Sequence, residues 1–169
     1  MRPAKISSGG FLFPGWAFIP GETLQADHER LAPVKALVPA RFEGFVPARH
    51  PALRYGLALN DAGFFWECHE ILEAVWAAAP QGGRERILLR ACIQTANGNL
   101  KSKMQRAHAA TRLYAEALAG LDELRVRRAG GNGGGFAESF PAERLAESLR
   151  QAGGDSGAAL MGPVLFEVT

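Results

Sequence analysis

Residues 60–76 read NDAGFFWECHEILEAVW, and this stretch decides the fold prediction. Placed on a helical wheel, its large apolar residues gather on one side, as in a helix that packs against a core. Asn60 or Asp61 can cap this helix by accepting a first-turn backbone N–H. Pro80 and the glycines after it end the helix. The predicted core-facing stripe consists of Phe64, Phe65, Cys68, Ile71, Leu72, Val75 and Trp76.

Two more helices follow in the sequence. The second begins near Arg84 and turns Ile87, Leu88, Ala91, Cys92 and Thr95 inward. Gly98, in its later half, would let a neighbouring backbone approach closely, at a cost of ~1 kcal/mol in helix propensity. The third helix runs from about Ser102 to Arg128, and its apolar face holds Ala110, Leu113, Tyr114, Ala117, Leu118 and Leu121. The boundary between these two helices stays open, because GNLKSKMQ contains only weak helix breakers.

The rest of the chain predicts a single domain with attached segments. Residues 1–58 hold widely spaced prolines, which forbid long helices, together with many aromatics. We therefore predict an extended arm laid over a helical bundle core at residues 59–128. Residues 129–135 form a Gly-rich linker by composition. Residues 136–169 then provide a short helix and a tail.

The short helix is predicted from Pro141, which suits a first turn, and from the spacing of Leu145 and Leu149. After a further Gly-rich turn, the sequence PVLFEV is predicted to lie as an extended tail against the bundle.

Composition excludes several classes of protein. The chain is 47% hydrophobic and 21% charged, which argues against general disorder, and its net charge of +2 gives no reason to expect a nucleic-acid or membrane partner. Glycines and prolines interrupt the apolar N-terminal residues, so we expect no signal peptide and a cytoplasmic location. Cys68 and Cys92 are expected to be buried free thiols in a reducing compartment.

One face of the first predicted helix carries several ionisable side chains. His69 and Glu73 are four residues apart and therefore share a face, while Glu70 stands about 100° to one side of His69 and Trp76 lies beside His69. At the rim of an apolar stripe, a carboxylate can hold an imidazole, raise its pKa or share a metal ion with it. The zincin motif would need a second histidine where this chain has Glu73, so it is not met.

Three interpretations of this face stay open: a structural histidine, a small-ligand pocket, and a metal or acid/base site. Gln94 would be the natural partner of His69 if its face of the second helix turned that way; otherwise it is an ordinary interface residue. We predict no cofactor and no bound metal. If a metal were bound, His69 and Glu73 would be ligands and other elements would supply the rest. The arm could bring His28 or His50.

The same residues resemble a bacterial and archaeal family catalogued as "domain of unknown function 309". Its motif is an aromatic residue, then His-Glu, two residues, Glu and a Trp. The matching residues are Phe65, His69, Glu70, Glu73, Trp76 and, in the second helix, Gln94. The resemblance covers about residues 55–125 and implies a three-helix up-and-down bundle, but no activity. The chain departs from the family at Met104-Gln105, where a Gly-Asn step is usual. Phe18-Ile19-Pro20-Gly21 resembles the arm of a subgroup.

The sequence therefore predicts an all-α, three-helix up-and-down bundle with an N-terminal arm and a short C-terminal helix. Whether it is an enzyme stays open, and the residues favour a non-enzymatic binding or interaction protein. Its predicted pocket contains His69, Glu70, Glu73, Trp76 and Gln94. The alternatives are a metal-assisted hydrolase that uses these residues and a structural scaffold in which the motif locks the first predicted helix to the second. The partner would be an unidentified small molecule or protein, and homo-oligomer formation stays open.

Overall fold

The computed structural model describes residues 10–127, 135–154, 163 and 165. Within these ranges the regular secondary structure is helical, which confirms the predicted all-α class. The helices are α1 (His28–Lys35), α2 (Pro51–Asp61), α3 (Phe65–Ala78), α4 (Arg84–Lys103), α5 (Ala107–Val126), α6 (Phe136–Ser139) and α7 (Ala142–Gly154).

The helices pack mainly on their neighbours in the chain. α2 lies against α3, α3 against α4 and α4 against α5, while α7 covers α5. The turns between these successive helices are short, which is typical of helices that pack against their chain neighbours in a bundle. Within the described residues, no helix is both long and apolar enough to cross a lipid bilayer.

Helix α2 corrects the predicted extent of the arm. The arm was expected to stay extended through residue 58, but α1 and most of α2 lie inside it. Pro51 occupies the first turn of α2, where its missing N–H would have no partner in the helix anyway. Proline therefore starts this helix, and α2 buries Leu53, Tyr55, Leu57 and Leu59. The described bundle therefore includes α2 besides the three predicted helices, which are α3, α4 and α5.

The start of α3 also differs from its prediction. Asn60 and Asp61 do not cap this helix, because both belong to the last turn of α2. α3 begins at Phe65, and Phe64 at the N-cap position makes no side-chain cap. The predicted apolar stripe is confirmed in its central part, where Cys68, Ile71, Leu72 and Val75 are fully buried.

Gly98 allows α4 and α5 to pack closely. A Cβ atom added at Gly98 would lie 2.5 Å from Cε1 of Tyr114. The group that approaches is thus an aromatic ring, and not a backbone as predicted. The boundary that the sequence left open falls at Lys103, after which Gln105 turns the chain with a φ of 59°.

The C-terminal part of the fold is partly described. Residues 129–134 of the predicted linker lie outside the described residues, whereas Gly135 forms an isolated bridge with Pro47. The predicted short helix is confirmed as α7, in which Leu145 and Leu149 are fully buried. Of the predicted tail PVLFEV, only residues 163 and 165 are described. Both cysteines are buried and make no disulfide, as predicted.

Candidate functional site

His69 lies on the outer side of α3 between two oxygen acceptors. Its Nε2 is 3.1 Å from Oε1 of Glu73, one turn later, and its Nδ1 is 3.3 Å from the backbone oxygen of Trp66, one turn earlier. A neutral imidazole has one N–H and can donate to one of these oxygens, whereas an imidazolium donates to both. The helix spacing predicted from the sequence therefore gives a direct His69–Glu73 contact.

Glu70 connects this group to α1. Its Oε2 accepts from Nζ of Lys35 at 2.8 Å, and its Oε1 is 3.9 Å from Nδ1 of His69. One ligand atom each of His69, Glu70 and Glu73 lies within 4.8 Å of the others, so the three could hold a cation. At present these atoms are engaged with one another and with Lys35, which supplies the positive charge.

A cleft opens between α3 and α4 next to this group. This α3–α4 cleft has a volume of about 460 Å³, within the range of small-molecule sites. Trp76 and Ile93 provide large apolar surfaces, and polar side chains surround them. The lining residues are Glu73, Trp76, Ala77, Arg90, Ile93, Gln94 and Asn97.

Arg86 fixes the position of Trp76. Its guanidinium carbon lies 4.4 Å from the centre of the Trp76 ring, a cation–π distance. The same guanidinium donates to the backbone oxygens of Ala77 and Ala79 at the end of α3. Because these carbonyls have no partners within the helix, Arg86 both caps α3 and holds one wall of the cleft.

Gln94 faces α5 and does not pair with His69. Its Nε2 donates to Oε2 of Glu116 at 2.6 Å, and its Oε1 accepts from Nδ2 of Asn97 at 3.2 Å. Within the described residues, the polar partners of His69 all lie on α3. The motif therefore does not lock α3 to α4 through His69, as the scaffold alternative assumed. Gln94 instead joins α4 to α5, and it still lines the cleft.

Among the described residues, no other histidine belongs to the cluster of His69, Glu70 and Glu73. His50 precedes α2, and its Nδ1 accepts from the backbone N–H of Ala52. Burial lowers the pKa of His50, and a backbone hydrogen bond at Leu37 partly opposes that effect. The His28 ring packs edge-on against Trp66, with the ring centres 6.0 Å apart, and His108 is exposed on α5.

Two buried glutamates were not singled out from the sequence. Glu67 on α3 is fully buried, and Glu85 at the start of α4 is 6% exposed. Burial raises the pKa of both groups, that of Glu85 to about 6. A helical wheel indicates the burial of Glu67, because this residue stands three residues after Phe64 and four before Ile71, inside the apolar stripe.

Comparison with known families gives a match for the segment that contains α3 and α4. Residues 53–113, which contain the whole of α3 and α4, match the family described as "Domain of unknown function (DUF309)". This segment is a DUF309 domain. It includes the His69 group and every residue that lines the α3–α4 cleft. The chain has no match among curated proteins and none among solved structures.

Proposed function

We propose that this DUF309 protein is a non-enzymatic binding protein and that the α3–α4 cleft takes a small molecule. The observation that carries the proposal is the position of Glu73. This carboxylate contacts His69 at 3.1 Å and also lines the cleft beside Trp76. Glu73 therefore connects the charged group of His69, Glu70 and Glu73 to the apolar surface of the cleft. Ligand pockets usually combine an apolar surface with a few polar or charged groups in this way.

The lining indicates what kind of molecule would fit. Glu73 on α3 and Arg90 on α4 offer opposite charges, while Trp76 and Ile93 offer apolar surface. Asn97 adds an amide that can donate and accept hydrogen bonds. These groups suit a small zwitterionic molecule with an apolar body, its amino group toward Glu73 and its acidic group toward Arg90.

The test uses apolar amino acids and dipeptides as ligands. Isothermal titration calorimetry with the wild-type protein should give saturable, one-to-one binding of at least one compound. Glu73→Gln should weaken that binding tenfold or more, because it removes the charge that meets the amino group. The matched control is Glu147→Gln, since Glu147 is also an exposed helix carboxylate in a local ion pair, with Arg150. Equal loss in both variants, or no binding by any compound, would contradict the proposal.

The second candidate function is metal-assisted hydrolysis, and the cluster of His69, Glu70 and Glu73 favours it. Imidazole and carboxylate are ligands of zinc and manganese, and three protein ligands plus a water make up a catalytic site. Here a cation would first have to displace Lys35 from Glu70, from which it is 2.8 Å away. We therefore rank this function below ligand binding.

Elemental analysis separates the two candidates. The binding proposal expects wild-type protein purified without an affinity tag to carry well under one transition metal ion per chain. About one zinc, manganese or iron ion per chain would reverse the ranking, provided that His69→Ala loses the ion and Lys35→Met binds it more tightly. If neither a metal nor a ligand binds, both candidate functions are excluded.

The proposed place of action is the cytoplasm. The support is chemical: Cys68 and Cys92 are both buried, and both are unbonded thiols. Burial raises the pKa of each thiol well above its ordinary value, so the reactive thiolate forms are suppressed. Such cysteines fit a reducing compartment.

A further inference from the structure

A buried polar network joins α2, α4 and α5 on a side of the bundle that the candidate site does not use. The hydroxyl of Tyr114 donates to Oδ1 of Asn99 at 2.7 Å, and Nδ2 of Asn99 donates to Oδ1 of Asn60 at 2.9 Å. Asn60 and Asn99 are each 2% exposed. Because each amide oxygen already has a donor, both NH₂ groups are oriented as donors toward the remaining space.

Both oriented amides meet at one backbone carbonyl. The oxygen of Pro163 accepts from Nδ2 of Asn60 at 3.0 Å and from Nδ2 of Asn99 at 2.9 Å. Asp61 then accepts from the backbone N–H of Leu165. Side chains of the bundle therefore bind a carbonyl and, two residues later, an N–H of the same segment.

Side chains that bind main-chain groups of a distant segment are one means of peptide recognition. Proline suits the first position, since it has no N–H that would need a partner there. Leu165 is fully buried in the hydrophobic core and supplies the anchoring side chain. Main-chain hydrogen bonds plus an anchored side chain are how many proteins hold peptides.

The site and its occupant come from different parts of the chain. Asn60, Asp61 and Asn99 all belong to the DUF309 segment, whereas Pro163 lies 64 residues after Asn99. We propose that these three side chains form a peptide-binding site for a segment of sequence Pro-x-Leu, which the chain fills with its own Pro163 and Leu165. This site is separate from the α3–α4 cleft, so either proposal can fail without the other.

The test adds the segment as a separate peptide to the full-length protein. A fluorescein-labelled peptide, GPVLFEV (residues 162–168), is titrated with Leu165→Arg protein and followed by fluorescence anisotropy. We expect saturable one-to-one binding. Wild-type protein should bind at least tenfold more weakly, because its own segment competes at an effective concentration that is roughly millimolar for such tethered segments. Leu165→Ala serves as a milder variant in case the arginine variant does not fold.

Two further experiments test the individual hydrogen bonds of this site. A peptide with N-methylated leucine cannot donate to Asp61 and should bind at least tenfold more weakly, without any change to the protein. Asn99→Ala in the Leu165→Arg background should have a similar effect, whereas Ser102→Ala, an exposed position on the same helix, should have none. The proposal is overturned if folded Leu165→Arg and Leu165→Ala proteins bind no peptide, or if the normal and N-methylated peptides bind equally.

Discussion

The carboxylate of Glu67 on α3 accepts the backbone N–H of Phe18 at 2.8 Å, although 49 residues separate them. Its other oxygen, Oε1, has no hydrogen-bond partner among the described residues. Burial raises the pKa of Glu67, and the hydrogen bond from Phe18 opposes this effect. A fully buried carboxylate thus fastens the N-terminal arm to the central helix, close to the His69 group but facing inward.

Glu67→Gln and Glu67→Ala should therefore have different effects. Glutamine keeps an oxygen for the Phe18 N–H and removes the buried charge, but its NH₂ takes the position of Oε1, which has no partner, so glutamine should cost less stability than alanine. Alanine leaves the N–H without its acceptor and should cost ~1–3 kcal/mol. Urea denaturation measures both, and limited proteolysis should cut the arm faster in Glu67→Ala. Equal losses in both variants would show that side-chain packing, and not the hydrogen bond, matters here.

Glu85 should make the stability of the protein depend on pH. Its folded pKa is about 6, above the ordinary value of 4.5, mainly because it is buried; its Oε2 accepts from the backbone N–H of Ala137, which partly opposes the rise. A raised folded pKa means that the folded state binds the proton more tightly. The stability from this group is thus complete below pH 4.5 and is lost as pH rises through 6.

Glu85→Gln should remove this pH dependence. Relative to the wild type, the variant should gain about 2 kcal/mol between pH 4.5 and pH 7, since one pKa unit corresponds to ~1.4 kcal/mol. The measurement is chemical denaturation at several pH values. Glu143→Gln, an exposed position in the first turn of α7, is the control and should run parallel to the wild type. A wild-type curve that falls toward low pH over this range would refute the assignment to Glu85.

Two glycine substitutions should have opposite signs. Gly98→Ala places its Cβ 2.5 Å from the Tyr114 ring, so α5 must shift, at a cost of ~1–3 kcal/mol. At Gly120 the nearest atom to an added Cβ is Cβ of Ala91 at 3.5 Å, an ordinary contact. Gly120→Ala should therefore stabilise α5 by ~0.5–1 kcal/mol through helix propensity. Thermal unfolding tests the pair, and stabilisation by both would show that Tyr114 moves easily.

Removing the His69 side chain should affect stability little. Its polar partners lie on its own helix, and an i, i+4 pair on a helix surface contributes only ~0.3–0.5 kcal/mol. His69→Ala should thus change the free energy of unfolding by less than ~1 kcal/mol. Tyr114→Phe is the contrast, since it strands the buried Oδ1 of Asn99 and should cost ~1–3 kcal/mol. A larger loss for His69→Ala than for Tyr114→Phe would revive the idea of a structural lock.

The helices that the sequence predicts well are those with strong apolar periodicity. The stripe from Cys68 to Val75 is buried as expected, and α4 begins at Arg84, as predicted. Helix α2 was missed because Pro51 was taken as a helix breaker, although proline is favoured in the first turn. The end of α4 could not be placed, because Gln105 adopts its positive φ without any glycine to indicate a turn.

The candidate site was predictable only within one helix. The contact between His69 and Glu73 follows from the 3.6-residue period of α3 alone. The direction of Gln94 depends on how α4 is rotated against α5, and its partner Glu116 lies 22 residues away. Likewise, the acceptor for Asn60 comes from Pro163, 103 residues later, which no local pattern could indicate. The part of the site that depends on contacts between helices is therefore not predictable from a local sequence pattern.

The Pro163 carbonyl has a consequence for protein synthesis. Ribosomes add residues from the N-terminus, so Asn60 and Asn99 are made long before the acceptor that both their amides share. A nascent bundle of α2 to α5 therefore lacks the carbonyl that accepts one N–H from each amide, although each amide keeps a second acceptor, Asp61 for Asn60 and Asn60 for Asn99. Domains generally fold as units during translation. This one reaches its full stability only after residue 165 has left the exit tunnel.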